Sequence, residues 1–177
     1  SASLTAPNGK AQAKLIRSTL RDAGLQGKDV HYLEAHGTGT ALGDPIEMSA
    51  LSDTMGEGRD ADHPLVMGAV KANIGHLEPV AGIAGLMKAV MVLQHEQATP
   101  NVELRSLNPK IQTIMDQTGF PVSFPEQSAV ALERRADQSD EDRVVAGISS
   151  FGYAGTIAPT VISQPEGLMA RVVTSAA

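Results

Sequence analysis

The chain contains no cysteine and no tryptophan, and among its 177 residues there are only two tyrosines and three phenylalanines. Without cysteine there is no disulfide and no thiolate metal ligand, and a reaction that needs a sulfur nucleophile must take it from another polypeptide segment. So few rings leave little to stack on nucleic-acid bases. Cations are also in deficit, with 14 Lys and Arg against 20 Asp and Glu and a formal charge of -6. That balance argues against nucleic acid and against an anionic membrane surface, both of which need clustered positive charge. The longest hydrophobic run, Val80 to Leu93, is too short to span a bilayer and carries Lys88 in its middle, so it reads as a buried helix. No signal peptide is visible, and the expected compartment is the cytoplasm.

What is present alternates between helical and strand-like patterns. Ala11, Leu15, Ile16, Leu20 and Ala23 fall at helical spacing between Asn8-Gly9 and Gly24, which predicts an amphipathic helix. Val30 to Ala35 reads as a short strand ending at His36. Asp44-Pro45-Ile46-Glu47 carries an N-cap acid three residues before a Glu and a Pro at the first helical position, which predicts a helix running to about Met55. Pro64 to Val70 predicts a buried strand running into Lys71, and the small-residue segment with Gly82 and Gly85 predicts a central helix packed closely on its neighbours. Past Gln97, Pro100, Pro109, Pro121 and Pro125 divide the chain into short irregular pieces, and Arg134 to Asp142 has the composition of a solvated loop. Val144 to Ser149 resumes as a strand, with Thr156 to Ile162 as its antiparallel partner across a glycine-containing turn. The whole predicts one α/β layered domain with a covered sheet.

Two histidines stand out, in Glu34-Ala35-His36-Gly37-Thr38-Gly39-Thr40 and in Lys71-Ala72-Asn73-Ile74-Gly75-His76. Each ends an apolar stretch beside a glycine turn, where a side chain is held firmly yet reachable. Two imidazoles can donate hydrogen bonds and move protons, but they are seldom the nucleophile. The other histidines offer less: His31 and His36 would project to opposite faces of a strand, which opposes a metal site, and His63 and His95 read as surface residues. Gly37-Thr38-Gly39-Thr40 lacks the lysine of a phosphate-binding loop, and Gly147-Ile148-Ser149-Ser150-Phe151 has Phe where a nucleophile elbow needs its second glycine.

Taken together, Glu34 to Asp44, Lys71 to Glu78, the helix beginning at Ala81, and Ser149 to Thr156 closely resemble the β-ketoacyl synthase domain of polyketide synthases, in the same order. Leu4 to Asn8 and Asn101 to Ile111 resemble the same family, so the likeness runs from about Leu4 to Ile162 and leaves 163–177 as a tail or linker. It covers the carboxyl-terminal half of that domain, whose nucleophilic cysteine lies in the other half. The resemblance implies a thiolase-like α/β fold, here its second half, with a mixed sheet and a buried central helix. It implies decarboxylative condensation of acyl and malonyl-type thioesters, with His36 and His76 acting on the extender and Lys71 beside them. Thr38 and Thr40 match hydroxyls that contact the phosphopantetheine arm of a carrier protein, Tyr153 matches the gating aromatic, and Phe151 lines the same turn.

The implied partners are the amino-terminal half with the cysteine, an acyl carrier protein, and a second copy of the complete domain in a homodimer. No directly bound cofactor is implied; the phosphopantetheine arm is a substrate tether. One departure stands out: the turn continues as Gly155-Thr156-Ile157-Ala158-Pro159-Thr160 instead of the family's Gly-Thr-Asn-Ala-His. The apparent extra residue predicts a bulge or a changed register. That departure favours a second reading, a non-elongating module that binds or gates carrier-bound acyl chains or sets their length. A third is a structural fragment, against which stand three polar groups kept beside an apolar core.

Overall fold

The computed structural model describes residues 7–102, 104–134, 143–152 and 155–165. Asn8 caps the first helix, α1 (Gly9–Asp22), by accepting from Ala11 N–H at 3.0 Å, and Gly24 ends it at φ 70°. The buried face of α1 is Gln12, Ala13, Ile16 and Leu20, while Leu15 is exposed. The predicted stripe is thus rotated by about one position, because the neighbouring helix meets the Ala13–Ile16 side.

Strand β1 (Tyr32–Glu34) leads through the glycine turn into α2 (Gly43–Met55), which returns to β2 (Leu65–Gly68). A single-turn helix, α3 (Lys71–Ile74), follows, and β2 stops two residues short of the Val70 end that the apolar run predicts. Helix α4 (Ala81–His95) comes next, then β3 (Gln97–Ala98), α5 (Pro109–Thr118), β4 (Val122–Ser123), β5 (Val130–Ala131), β6 (Val145–Ile148) and β7 (Thr160–Ser163). Helix α5 corrects the expectation of irregular pieces. Its punctuation is present in the sequence, since Asn108 caps it through Lys110 N–H, Pro109 opens it and Gly119 closes it in a left-handed conformation.

The main sheet has the order β4-β2-β1-β6-β7, with β4, β2, β1 and β6 parallel and β7 antiparallel to β6. Side-chain alternation along β1 divides the core. Leu33 and Ala35 face α1 and α2, packing with Ile16, Leu20, Met48 and Leu51. Tyr32 joins Ala89, Val92 and Leu93 of α4 on the other side. Helix α4 therefore packs centrally on the sheet, but its burial is one-sided in this chain. Ala81, Gly85, Ala89, Val92 and Leu93 are buried, whereas Ile83, Met87, Val90 and Met91 are exposed, because no described element of the chain lies over them. Among the described residues no helix is long and apolar enough to cross a membrane.

The predicted bulge is absent. Val145 to Ile148 pairs with Ser163 to Thr160 in one register, and the Phe151–Ile157 bridge keeps that register across Pro159. The fold also extends past Ile162: Ser163 closes β7, and buried Gln164 donates to Leu93 C=O and Glu96 at 2.8 Å each. Arg134, expected to open a solvated loop, forks onto the Glu96 carboxylate at 3.0 Å through both terminal nitrogens. Positions 135–142 of that expected loop lie outside the described residues.

Candidate active site

From β1 the chain steps to β2 and β4 on one side and later returns to β6 on the other. The parallel strands therefore end together at a switch in direction beside β1, the place where α/β sheets open a crevice. His36 follows β1, Lys71 follows β2, and Phe151 follows β6.

His36 sits in a turn held from behind by Glu47. The buried Glu47 carboxylate accepts His36 N–H at 2.8 Å and Gly37 N–H at 3.0 Å, one on each oxygen. The sequence pattern reads Glu47 as half of a capping box with Asp44 as N-cap. Instead the helix begins at Gly43, whose N–H is taken by the Thr40 hydroxyl at 3.0 Å. Burial pushes the Glu47 carboxyl up to about 7, outweighing the two N–H bonds that favour its charge. Burial likewise raises the Asp44 carboxyl against the N–H groups of Thr40, Gly39 and Thr38 and the Thr38 hydroxyl. These two acids, invisible as site residues in a pattern that fits ordinary capping, shape the turn.

The imidazole of His36 is half-buried between two rings. Its centroid lies 5.0 Å from that of Phe151 and 5.9 Å from that of His76, the latter edge-on at 90°. Phe151 N–H donates to His36 Nδ1 at 3.4 Å, and Glu78 N–H donates to His76 Nδ1 at 3.0 Å. With Nδ1 accepting a backbone N–H in each ring, the ring proton sits on Nε2, so both imidazoles present an Nε2–H donor. Burial, then the Lys71 ammonium, then His76 lower the His36 pKa to about 4. The ring is neutral at physiological pH.

Lys71 opens α3 and is half-buried. Burial lowers its pKa, opposed by Glu34, Glu47 and Asp44 in that order. Buried Asn101 braces the end of β2, accepting Ala69 N–H at 2.9 Å and donating to Met67 C=O at 3.3 Å. His76 stands in an exposed stretch, following Gly75 at φ 78° and preceding Glu78 at φ 47°. Positive φ at a non-glycine residue beside a functional group is a strained arrangement.

A cleft of about 440 Å³ opens here, bounded by Thr38, Asp44, Lys71 and His76, with Met48 and Met67 on its buried wall. The structure thus gathers His36, His76, Lys71 and Phe151, and places the Thr38 hydroxyl 3.4 Å from that of Thr40. His36, Thr40 and Phe151 lie outside the cleft lining. Tyr153 lies outside the described residues. His31 is elsewhere, its Nδ1 accepting Val145 N–H at 3.2 Å, and His63 pairs with Asp60 at 2.8 Å.

A mixed sheet with one histidine directly after β1, a second beyond α3, and one helix left half-covered fits the carboxyl-terminal half of a thiolase-like fold. The solved oxazolomycin ketosynthase domain OzmH KS7 of Streptomyces albus JA3453 superposes with a TM-score of 0.83 at 32% identity, over 96% of this chain and 29% of that one. The family described as β-ketoacyl synthase, C-terminal domain, matches residues 1–105, and the chain belongs to that family. A phenolphthiocerol/phthiocerol polyketide synthase component of Mycobacterium tuberculosis is 43% identical over 170 residues, covering 92% of this chain and 8% of that protein. Erythronolide synthase EryA3 of Saccharopolyspora erythraea is 43% identical over 164 residues, covering 92% of this chain and 5% of that protein. The chain therefore spans less than a tenth of the length of these curated relatives.

Proposed function

We propose that this chain is the histidine-bearing half of a condensing enzyme that joins acyl and malonyl-type thioesters delivered on a carrier protein. The observation that carries this reading is the pair of imidazoles with Nδ1 occupied by backbone N–H and Nε2–H free, their ring centroids 5.9 Å apart. At that separation one oxygen can accept from both. A malonyl thioester whose carbonyl oxygen rests between them loses carbon dioxide, and the electrons of the broken C–C bond form an enolate whose oxygen the two donors stabilise. The enolate carbon attacks the acyl group held as a thioester on a cysteine. The new C–C bond forms and the cysteine thiolate leaves. That cysteine belongs to the amino-terminal half of the complete domain, which we take to be a homodimer working in the cytoplasm.

Burial first, and then the Lys71 cation, keep His36 uncharged, so that it acts as a neutral donor. Phosphopantetheine enters as part of the substrate, passing Thr38 and Thr40, and Phe151 packs the far side of His36. The family resemblance gives Tyr153 the role of gating aromatic. The unbroken register across Ile157 to Thr160, with no bulge, supports this reading over a non-elongating module.

The test uses the domain assembled with its amino-terminal half. His36→Ala and His76→Ala should each slow malonyl decarboxylation by on the order of 10²–10³ while leaving acylation of the cysteine intact. Decarboxylation at the parent rate in both variants overturns the assigned roles. The chain by itself should give no β-ketoacyl product, and finding product from it alone overturns the division of labour.

A further inference from the structure

Under the sheet, on the α4 side, lies an ion pair that the proposed chemistry does not use. Glu34 of β1 is 1% exposed in its side chain, and Lys88 of α4, 10% exposed, places Nζ 3.3 Å from Glu34 Oε2. The same Oε2 accepts the Tyr32 hydroxyl proton, and Oε1 accepts Val70 N–H. The surroundings are apolar, with Val66, Ala89 and Ile148 in the same cluster as Tyr32. Apolar side chains of similar size fill such a place at little or no loss of stability, so a buried pair is weak evidence for stability alone.

Two glycines make room for the pair. A Cβ on Gly68 would lie 2.4 Å from the Tyr32 hydroxyl and 2.9 Å from Lys88 Nζ, and one on Gly85 would lie 3.2 Å from Glu34 Cγ. What the arrangement adds is direction. Val70 has no side-chain cap of its own to offer α3, and its N–H is held by Glu34 instead. Val70 C=O then takes Asn73 N–H at 2.9 Å and Ile74 N–H at 3.1 Å, and Lys71 C=O takes Gly75 N–H at 2.9 Å. A hydrogen-bonded path thus runs from the Glu34 carboxylate to the residue before His76. Glu34 itself lies two residues before His36 on β1. One carboxylate therefore ties together the two elements that carry the histidines.

We propose that Glu34, steadied by Lys88, is a positioning residue that sets the placement of Lys71 and His76 relative to His36. This rests on the two-histidine reading above. In the assembled domain, Glu34→Leu with Lys88→Met removes both charges and the acceptor for Val70 N–H. Glu34→Gln with Lys88→Met removes the same charges but keeps an acceptor.

The Leu/Met variant should lower kcat for malonyl decarboxylation by about 10-fold to 10²-fold, with KM and cysteine acylation near the parent values, and Gln/Met should restore most of the rate. By histidine-selective NMR, the His36 pKa should rise in Leu/Met, because Lys71 and His76, which depress it, shift away. Equal decarboxylation rates in the two double variants with an unmoved His36 titration overturn the proposal. Should His36→Ala and His76→Ala leave decarboxylation untouched, the catalytic reading fails, and the His36 titration in Leu/Met still decides whether Glu34 positions the segment.

Discussion

His36 and His76 stand 5.9 Å apart, yet their supports differ in kind. His36 ends a central strand, its turn is clamped by the buried Glu47 carboxylate, its Nδ1 is occupied by Phe151 N–H, and Phe151 covers one side of its ring. His76 lies in a stretch from Asn73 to Val80 that is exposed throughout, steadied by Glu78 N–H and leading into the uncovered face of α4. Much of the precision around the first histidine is therefore built within this chain. Around the second, the chain supplies direction through α3 but leaves the outer wall open. A preorganised site needs both rings fixed, so under the proposed function the outer wall beside His76 falls to the amino-terminal half.

The sharpest way to break this contrast is through the glycine beside each histidine. Gly37, at φ 45°, would place a Cβ 2.8 Å from Ala69 Cβ, whereas Gly75, at φ 78°, would meet nothing within 4 Å. Gly37→Ala is held in place by Glu47 and cannot relax, so it should destabilise the domain by about 2–4 kcal/mol, combining backbone strain with overpacking. Gly75→Ala meets no overpacking, but φ 78° with ψ -179° is a conformation that glycine alone adopts freely, so it should cost about 1–2 kcal/mol of backbone strain, less than Gly37→Ala, while displacing His76 enough to lower decarboxylation. Denaturant unfolding of both variants checks this, and equal losses of stability would erase the distinction between the two supports.

A smaller effect is expected at the threonines. Thr40 already uses an oxygen lone pair to hold Gly43 N–H, and Thr38 is engaged with Asp44. Thr38→Val with Thr40→Val should raise the apparent KM for carrier-bound extender by up to about tenfold, more than it lowers kcat, since the arm is held alike before and during the reaction. An unchanged KM places the arm elsewhere and returns both hydroxyls to the turn.

The smallest effect concerns charge. A neighbouring cation disfavours imidazolium, so Lys71→Met should raise the His36 pKa from about 4 toward its ordinary value of 6.5. Burial and His76 remain, so the rise should be partial. The sign for stability follows: with its folded pKa lowered, His36 contributes stability above pH 6.5 that is lost as pH falls toward 4. The variant should lose less over that interval. Histidine NMR titration and unfolding at two pH values measure both, and a His36 titration that stays near 4 would show that burial and His76 set it without Lys71.

The strands around the site are legible in the sequence because their apolar runs end in punctuation. Val144 to Ser149 and Val30 to Ala35 each run one or two residues past the ends of the β6 and β1 they predict, and Asn8 and Gly24 bound α1. Short elements escape the pattern: α3 is a single turn, and β3 and β5 have two residues each, too few to show a period. Helix α5 escapes for another reason, since Pro109 at its start reads equally well as a breaker. Glu47 is legible as an acid at capping distance, and nothing local distinguishes that role from the one it has.

What the sequence determined by itself was an inventory of groups: two histidines at glycine turns, one lysine five residues before the second, and no cysteine. These follow from local residue types, which fix donors, acceptors and backbone freedom. Only the tertiary structure decided how they meet. The crossing from β2 and β4 back to β6 puts Phe151 against His36, the buried carboxylates of Glu47 and Glu34 reach across 11 and 36 positions of sequence to hold backbone N–H groups, and the bonds at Nδ1 choose the tautomer of each ring. Those are long-range contacts, and no short stretch of sequence specifies its partner across a sheet.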